Sequence, residues 1–180
     1  MVYCFLADGF EELEAIAPID MLKRAGVDVV TVGVTGKNVT GSHAITFVAD
    51  MTAEEIKLSD KIEAVILPGG MPGTLNLEKS EIVQDAVDYA LSHGKFVCAI
   101  CAAPSILGHK GLLKGKNATA FPGFEKDLEG AVISDKYVCR DGKFITARGA
   151  GVAVKFGLEI VSALVSEEKS AEIEKTIQSL

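Results

Sequence analysis

The sequence predicts an α/β fold: a flavodoxin-like, doubly wound, mostly parallel sheet with helices on both faces. Two observations carry that expectation. Short apolar runs alternate with segments of helical spacing, the rhythm of a parallel sheet covered from both sides. The length of 180 residues, 48% apolar and 24% charged, suits one domain over residues 1–180, with no repeat, linker or composition break to divide it. The same composition excludes a disordered chain and a coiled coil.

Each element has its own signal. Residues 2–7 (VYCFLA) read as a first strand. Asp8 is placed to cap a helix, with Glu11 three residues later completing a capping-box pattern, and Gly26 stops that helix. Residues 27–34, rich in β-branched valine, make a second strand. Residues 35–50 hold turn residues and the strand-like AITFVA, an excursion at the sheet edge. Residues 64–67 are the next buried strand, ending at Pro68-Gly69-Gly70. A helix over 80–92 exits through His93-Gly94, residues 95–100 form another buried strand, and a further helix runs from Pro104 to about His109. Short strands are expected at 117–121, 131–134, 137–140 and 144–147. Asp141-Gly142 joins the last two as a hairpin. Val154, Leu158, Val161 and Val165 are spaced for a helix over 152–165 that packs on the sheet, and 171–177 makes a short terminal helix.

Charge narrows the partners. The 25 acidic and 18 basic residues give a net charge of -7, which repels nucleic acid and anionic membranes. No apolar run approaches the span of a bilayer, and MVYCFLADGFEE lacks the basic start of a signal peptide. A soluble, cytoplasmic protein is expected. Cys4, Cys98 and Cys139 lie in apolar strand-like runs, where a thiol serves as a small buried hydrophobe. Cys98 and Cys101 spell C-x-x-C, but the strand holding Cys98 separates them by about 10 Å, beyond disulfide reach. No metal is expected, because His43, His93 and His109 lie in separate segments and none pairs with a cysteine at zinc-site spacing.

Open parallel sheets bind ligands beyond the carboxyl ends of their strands, where strand order reverses. A flavodoxin-like order makes the first strand and the 64–67 strand neighbours there. The helix bearing Glu11, Glu12 and Glu14, the Pro68-Gly69-Gly70 turn and Cys101 then fall at one end of the sheet. AICAAP (99–104) has a small-x-Cys-x-small form at a strand-to-helix transition, the logic of a nucleophile elbow. Pro104 suits the first helical turn. Unsatisfied N–H groups and the helix dipole at that point favour a Cys101 thiolate, with a buried structural cysteine as the alternative. Gly69-Gly70 either present N–H groups to an oxyanion or form an ordinary turn. Spacing does not separate Glu14 from Glu11 and Glu12, which capping and the helix dipole explain.

Five landmarks stand in order: DGFEELEA (8–15), RAG (24–26), LPGG (67–70), AICAAP (99–104) and TARGAG (146–151). Together they resemble the ThiJ/PfpI superfamily, of class I glutamine amidotransferase-like domains. The match is closest to the deglycase-like branch, since Ala102 stands where the protease-like branch carries a histidine. The resemblance implies an oxidation-sensitive nucleophile at Cys101, with Glu14 hydrogen-bonding it and shuttling protons. It implies oxyanion amides at Gly70 and Ala102, substrate contacts at Gly69 and Arg24, and no cofactor. It also implies a homodimer through the first helix, whose Leu13, Ile16, Ile19, Met21 and Leu22 are more widely apolar than one sheet-facing stripe requires. One departure is visible: several relatives carry a histidine after the strand reading Ala118-Thr119-Ala120, where Phe121-Pro122 stands here.

Two functions follow. The first is a cofactor-free, glutathione-independent enzyme acting on 2-oxoaldehydes such as methylglyoxal, or on their early protein adducts. The second is a redox-sensing stress or chaperone protein with an oxidisable Cys101. A cysteine peptidase or amidase ranks last, because no cysteine–histidine pair is evident.

Overall fold

The structure, a computed structural model, describes residues 1–179. The chain opens with β1 (Val2–Leu6), α1 (Glu12–Arg24) and β2 (Val29–Gly33). An excursion follows, with β3 (Asn38–Thr40) and β4 (Thr46–Val48) as an antiparallel hairpin and β5 (Met51–Thr52) back at the sheet edge. Next come β6 (Ala64–Leu67), α2 (Gly73–Lys79), α3 (Glu81–Ser92), β7 (Phe96–Ile100) and α4 (Pro104–His109). The remainder is β8 (Asn117–Ala118), β9 (Val132–Ile133), β10 (Val138–Asp141), β11 (Phe144–Ala147), α5 (Ala153–Leu164) and α6 (Glu167–Thr176).

The main sheet has the order β10-β11-β7-β6-β1-β2-β5, and only β10 runs antiparallel. Every residue of β1, β6 and β7 is buried, which explains their unbroken apolar runs: each face of a doubly covered sheet needs its own hydrophobes. Successive side chains alternate between the two faces. Cys4, Leu6, Ile66, Cys98 and Ile100 pack with the α1 and α5 layer, through Leu22, Phe156 and Ile160. Tyr3, Phe5, Val65, Leu67 and Val97 pack with the α3 and α4 layer, through Val83, Val87 and Ile106. Burying each such side chain contributes about 1.5–3 kcal/mol, so both layers hold the sheet.

From β1 the chain crosses to β2 on one side, then returns past β1 to β6 and continues outward to β7 and β11. Val2 therefore pairs with Val29 on one flank and Ala64 on the other. Strand order reverses between β1 and β6, so the expected switch point is present.

Several boundaries differ from expectation. Asp8 does not cap α1; its Oδ1 accepts the Thr40 N–H at 2.8 Å and holds the excursion instead. Glu11 is the cap. α2 was not expected from the sequence, and it starts behind Pro72 with no side-chain cap. The strand expected over 117–121 shrinks to β8, which pairs with β9 outside the main sheet. α6 begins at Glu167 rather than 171, because the Ser166 hydroxyl accepts the Lys169 N–H at 3.1 Å as an N-cap. Among the described residues no helix is long and apolar enough to cross a membrane.

Candidate active site

Cys101 directly follows β7 and adopts φ +63, in the left-handed region that non-glycine residues seldom enter. Such a backbone costs about 1–3 kcal/mol and persists only where its surroundings fix it. Here they do. The Cys101 N–H donates to Ala147 O at 2.9 Å, and the Cys101 carbonyl accepts the Phe121 N–H at 2.9 Å. Ala102 and Ala103 are buried in the turn, so the small residues flanking the cysteine are a packing requirement. This is the elbow that AICAAP predicts.

The first turn of α1 supplies the partner. Glu11 accepts the Glu14 N–H at 2.8 Å as the N-cap. Glu14 then occupies the position from which a capping box would return a carboxylate to the Glu11 N–H. That N–H is already engaged, donating to Gly69 O at 2.9 Å. Glu14 Oε2 instead accepts the Gly69 N–H at 3.0 Å. One residue thus ties α1 to the turn after β6 through both of its backbone groups. A Cβ at Gly69 would stand 2.6 Å from Glu14 Oε2 and 2.7 Å from Cys101 Cβ, so only glycine fits between the carboxyl and the thiol. These contacts separate Glu14 from Glu11 and Glu12, which spacing alone does not.

The electrostatics bear on the expected thiolate. Glu14 is 1% exposed, and burial pushes its carboxyl up to about 7, with the Glu11 charge adding to the rise. Hydrogen bonding to Cys101, Gly69 and Ala150 works the other way. Cys101 is half-buried, and its thiol is pushed up to about 12 by burial first, then by the charge and hydrogen bond of Glu14. The Ala102 and Gly70 N–H groups lower it, as the elbow logic requires, but do not win. With Glu14 ionised, the sulfur is therefore held as a thiol. Both Glu14 contributions require a carboxylate; a protonated Glu14 instead donates to sulfur and favours the thiolate. The two groups titrate as a pair that passes one proton between them.

A cleft of about 480 Å³ is lined by Phe121, Pro122, Tyr137, Arg148 and the 149–152 segment, and it reaches the pair through Phe121, whose N–H bonds the Cys101 carbonyl, and through Gly149, beside the Glu14 carboxyl. The Arg148 guanidinium lies 5.1 Å from the Tyr137 ring centroid, and its Nε donates to Thr119 Oγ1 at 3.3 Å. Ion pairs among the described residues engage Arg24 and Arg140, so Arg148 has no carboxylate at ion-pair distance. Sequence reasoning missed Arg148 as a site residue, although TARGAG contains it. Tyr137 carried no signal beyond its place before an edge strand.

Gly69, Gly70, Glu14, Cys101 and Ala102 converge, but Arg24 does not join them within the chain. It lies ten residues beyond Glu14, about 15 Å along α1, and pairs with Asp20 at 2.8 Å. The histidines are engaged elsewhere. His109 bonds Glu78 at 2.6 Å, and His93 stacks on Tyr89 at 3.9 Å. His43 Nδ1 bonds Glu12 Oε2 at 2.7 Å, next to Glu11; these three side chains are close enough to group about a cation, but the ring nitrogen already serves Glu12. All four thiols are free, and Cys4, Cys98 and Cys139 are buried, so the C-x-x-C spacing forms no disulfide.

Comparison with known proteins gives a consistent result. A family model described as the DJ-1/PfpI family matches residues 1–163. Protein dj-1beta of Drosophila melanogaster is 37% identical over 173 residues, spanning 94% of this chain and 92% of its own. A deglycase of Pyrococcus abyssi is 33% identical over 163 residues, spanning 88% of this chain and 95% of its own. The solved structure of oxidized Toxoplasma gondii DJ-1 superposes with a TM-score of 0.94 at 30% identity, over 98% of this chain and 97% of that one.

Proposed function

The chain belongs to the DJ-1/PfpI family, and from that premise we propose that it is a cofactor-free enzyme acting on 2-oxoaldehydes such as methylglyoxal, or on their early adducts with protein amines and thiols. One observation carries the reading. A buried carboxyl with a pKa of about 7 stands beside the elbow cysteine, suited to take and give a proton near neutral pH. The deglycase of Pyrococcus abyssi among the relatives supports the same chemistry.

Cys101 passes its proton to Glu14 as sulfur adds to the aldehyde carbon, giving a hemithioacetal. The Gly70 and Ala102 N–H groups hold the developing oxyanion. Glu14, having protonated that oxygen, removes the hydrogen of the former aldehyde carbon and delivers a proton to the neighbouring ketone carbon. The hydroxyl proton on the first carbon passes to the ketone oxygen, so the first carbon is oxidised to a thioester and the second reduced to an alcohol, with no external oxidant. Water cleaves the thioester, releasing a 2-hydroxy acid and restoring the thiol. Phe121 stands at the place of the relatives' histidine, so the proton transfers rest on Glu14. Lactate formation from methylglyoxal without glutathione tests this. It is expected from the wild type and absent in folded Cys101→Ser; a variant that keeps the wild-type rate overturns the mechanism.

Redox sensing by the same sulfur is the second reading, favoured because Cys101 is the half-buried thiol while the other three are buried. Intact-mass analysis after mild peroxide is expected to show oxygen added at Cys101 first; equal oxidation of all four thiols rejects it. The partner implied by the surface is a second copy of the chain. Ile19, Met21 and Leu22 turn inward, whereas Leu13 and Ile16 stay 59% and 41% exposed on α1, and Ile45 and Val48 are 57% and 64% exposed on the excursion. Leu13→Glu is expected to sediment as a monomer where the wild type sediments as a dimer.

A further inference from the structure

We propose that Phe121 and Tyr137 make the cleft beside Cys101 selective for 2-oxoaldehydes carrying an aromatic or similarly bulky apolar group, over methylglyoxal. The proposal rests on the carbonyl reading for its substrate class and goes beyond it in naming which carbonyls.

Size is the first argument. The cleft holds about 480 Å³, the room of roughly sixteen liquid waters at about 30 Å³ each. Methylglyoxal, with five non-hydrogen atoms, leaves most of that space wet. A substrate with a phenyl group in place of the methyl doubles the atom count and brings a ring to the apolar wall.

The wall itself is the second. Phe121 is 47% exposed and Tyr137 63%, and with Pro122 and Val152 they leave an apolar, partly aromatic surface uncovered within the chain. Such surface beside polar reacting groups is the usual composition of a small-molecule site. Both rings are anchored relative to the sulfur. The Phe121 N–H is bonded to the Cys101 carbonyl, which fixes where its ring begins. Its Cδ2 would lie 3.2 Å from a Cβ at Gly149, and Glu14 Oε1 would lie 3.7 Å from the same atom. Glycine at 149 therefore leaves open the space that joins the ring to the carboxyl. Tyr137 is held by Arg148 twice: the guanidinium faces its ring, and the Arg148 N–H donates to the Tyr137 carbonyl at 3.0 Å. The Arg148 charge, with no carboxylate at ion-pair distance among the described residues, faces the same cleft and favours the carboxylate of a 2-hydroxy acid product. An aryl substituent lies against the two rings while its carbonyls meet Cys101 and Glu14. A methyl group meets neither ring fully.

The test separates selectivity from turnover. Calorimetric titration with mandelate and with lactate, the aryl and methyl 2-hydroxy acids, reads the cleft without any reaction. Mandelate is expected to bind the wild type at least about tenfold more tightly, since even one methylene in an apolar pocket is worth that much. Phe121→Ala and Tyr137→Ala, each checked for a wild-type melting profile, are expected to erase the preference. In parallel, kcat/KM for phenylglyoxal is expected to exceed that for methylglyoxal, with the ratio collapsing in both variants. Equal affinities for the two acids, or a preference that both variants keep, overturn the proposal even where methylglyoxal is consumed. A mandelate preference with neither aldehyde consumed supports the selective cleft and rejects the enzyme reading. Loss of self-association in the two variants, with no mandelate binding to the wild type, gives the aromatic wall to a second copy of the chain and overturns the proposal.

Discussion

Glu12 and Glu14 stand two residues apart in the first turn of α1, 4% and 1% exposed, and their protonation is driven in opposite directions. Burial opposes the charge of both. On the side facing the excursion, the His43 ring and N–H bond the Glu12 carboxylate and, with the histidine's charge, hold it below the usual carboxylate range. On the side facing the sheet, burial and the charge of Glu11 outweigh the Cys101 thiol and the Gly69 and Ala150 N–H groups, and the Glu14 carboxyl is pushed up to about 7. Burial weighs against the charge of both; at Glu12 the histidine outweighs it, and at Glu14 it prevails. A carboxylate given a cation is held charged; one buried against a thiol keeps its proton to nearer neutral pH.

Catalysis is where the contrast is expected to be largest. Glu14→Gln removes the proton carrier and is expected to lower kcat by about 10²–10⁴, the range typical of general acid–base groups. Glu12→Gln is expected to leave kcat at the wild-type value in the same lactate assay. Comparable losses in both variants would erase the distinction.

Stability against pH is the next largest effect. The folded-state pKa of Glu14, about 7, lies above the ordinary 4.5, so the folded chain binds this proton more tightly than the unfolded one. Its contribution is fully present below pH 4.5 and is lost as pH rises through 7, about 3 kcal/mol in all at about 1.4 kcal/mol per unit. Glu14→Gln keeps a neutral group throughout. In urea titrations its advantage over the wild type is expected to grow between pH 4.5 and 7 and then hold level. Glu12, with a lowered pKa, has the opposite sign: its contribution is present above 4.5 and is lost as pH falls through its folded value. Glu12→Gln is therefore expected to be less stable than the wild type at neutral pH and to approach it in acid.

Gly69→Ala sharpens the sheet-facing half alone. The added methyl meets the carboxyl and the thiol together, and overpacking of this kind costs about 1–3 kcal/mol. The unfolding free energy from urea titration is expected to fall by that amount, with a matching drop in midpoint, while the Glu12–His43 contact persists in the histidine's NMR titration.

The parts of this arrangement that are local in the chain were legible in the sequence. Continuous apolar runs disclosed β1, β6 and β7 because both sheet faces are covered. The elbow was readable from AICAAP because small neighbours are a steric demand of the turn itself. What the sequence left hidden depends on distant partners. Asp8 looks like a cap until Thr40 takes its carboxylate. Glu14 looks like a capping residue until Gly69, 55 positions away, takes the Glu11 N–H and offers its own. The elbow's N–H groups argue for a thiolate, and only the three-dimensional arrangement shows the burial and the acid neighbour that oppose it while Glu14 is ionised. α2 follows the turn-like PGGMPG and has no side-chain cap to announce it. Tyr137 matters through Arg148 and the cleft between them, and no spacing rule reaches that far.

The double tether at Gly69 also has a kinetic meaning. One residue, through an N–H and a carbonyl in successive peptide units, ties the start of α1 to the turn that carries Gly70, so Glu14 and that turn are held together. Under the proposed carbonyl chemistry, Glu14 and the Gly70 N–H are thereby set in place at folding, before a carbonyl compound arrives.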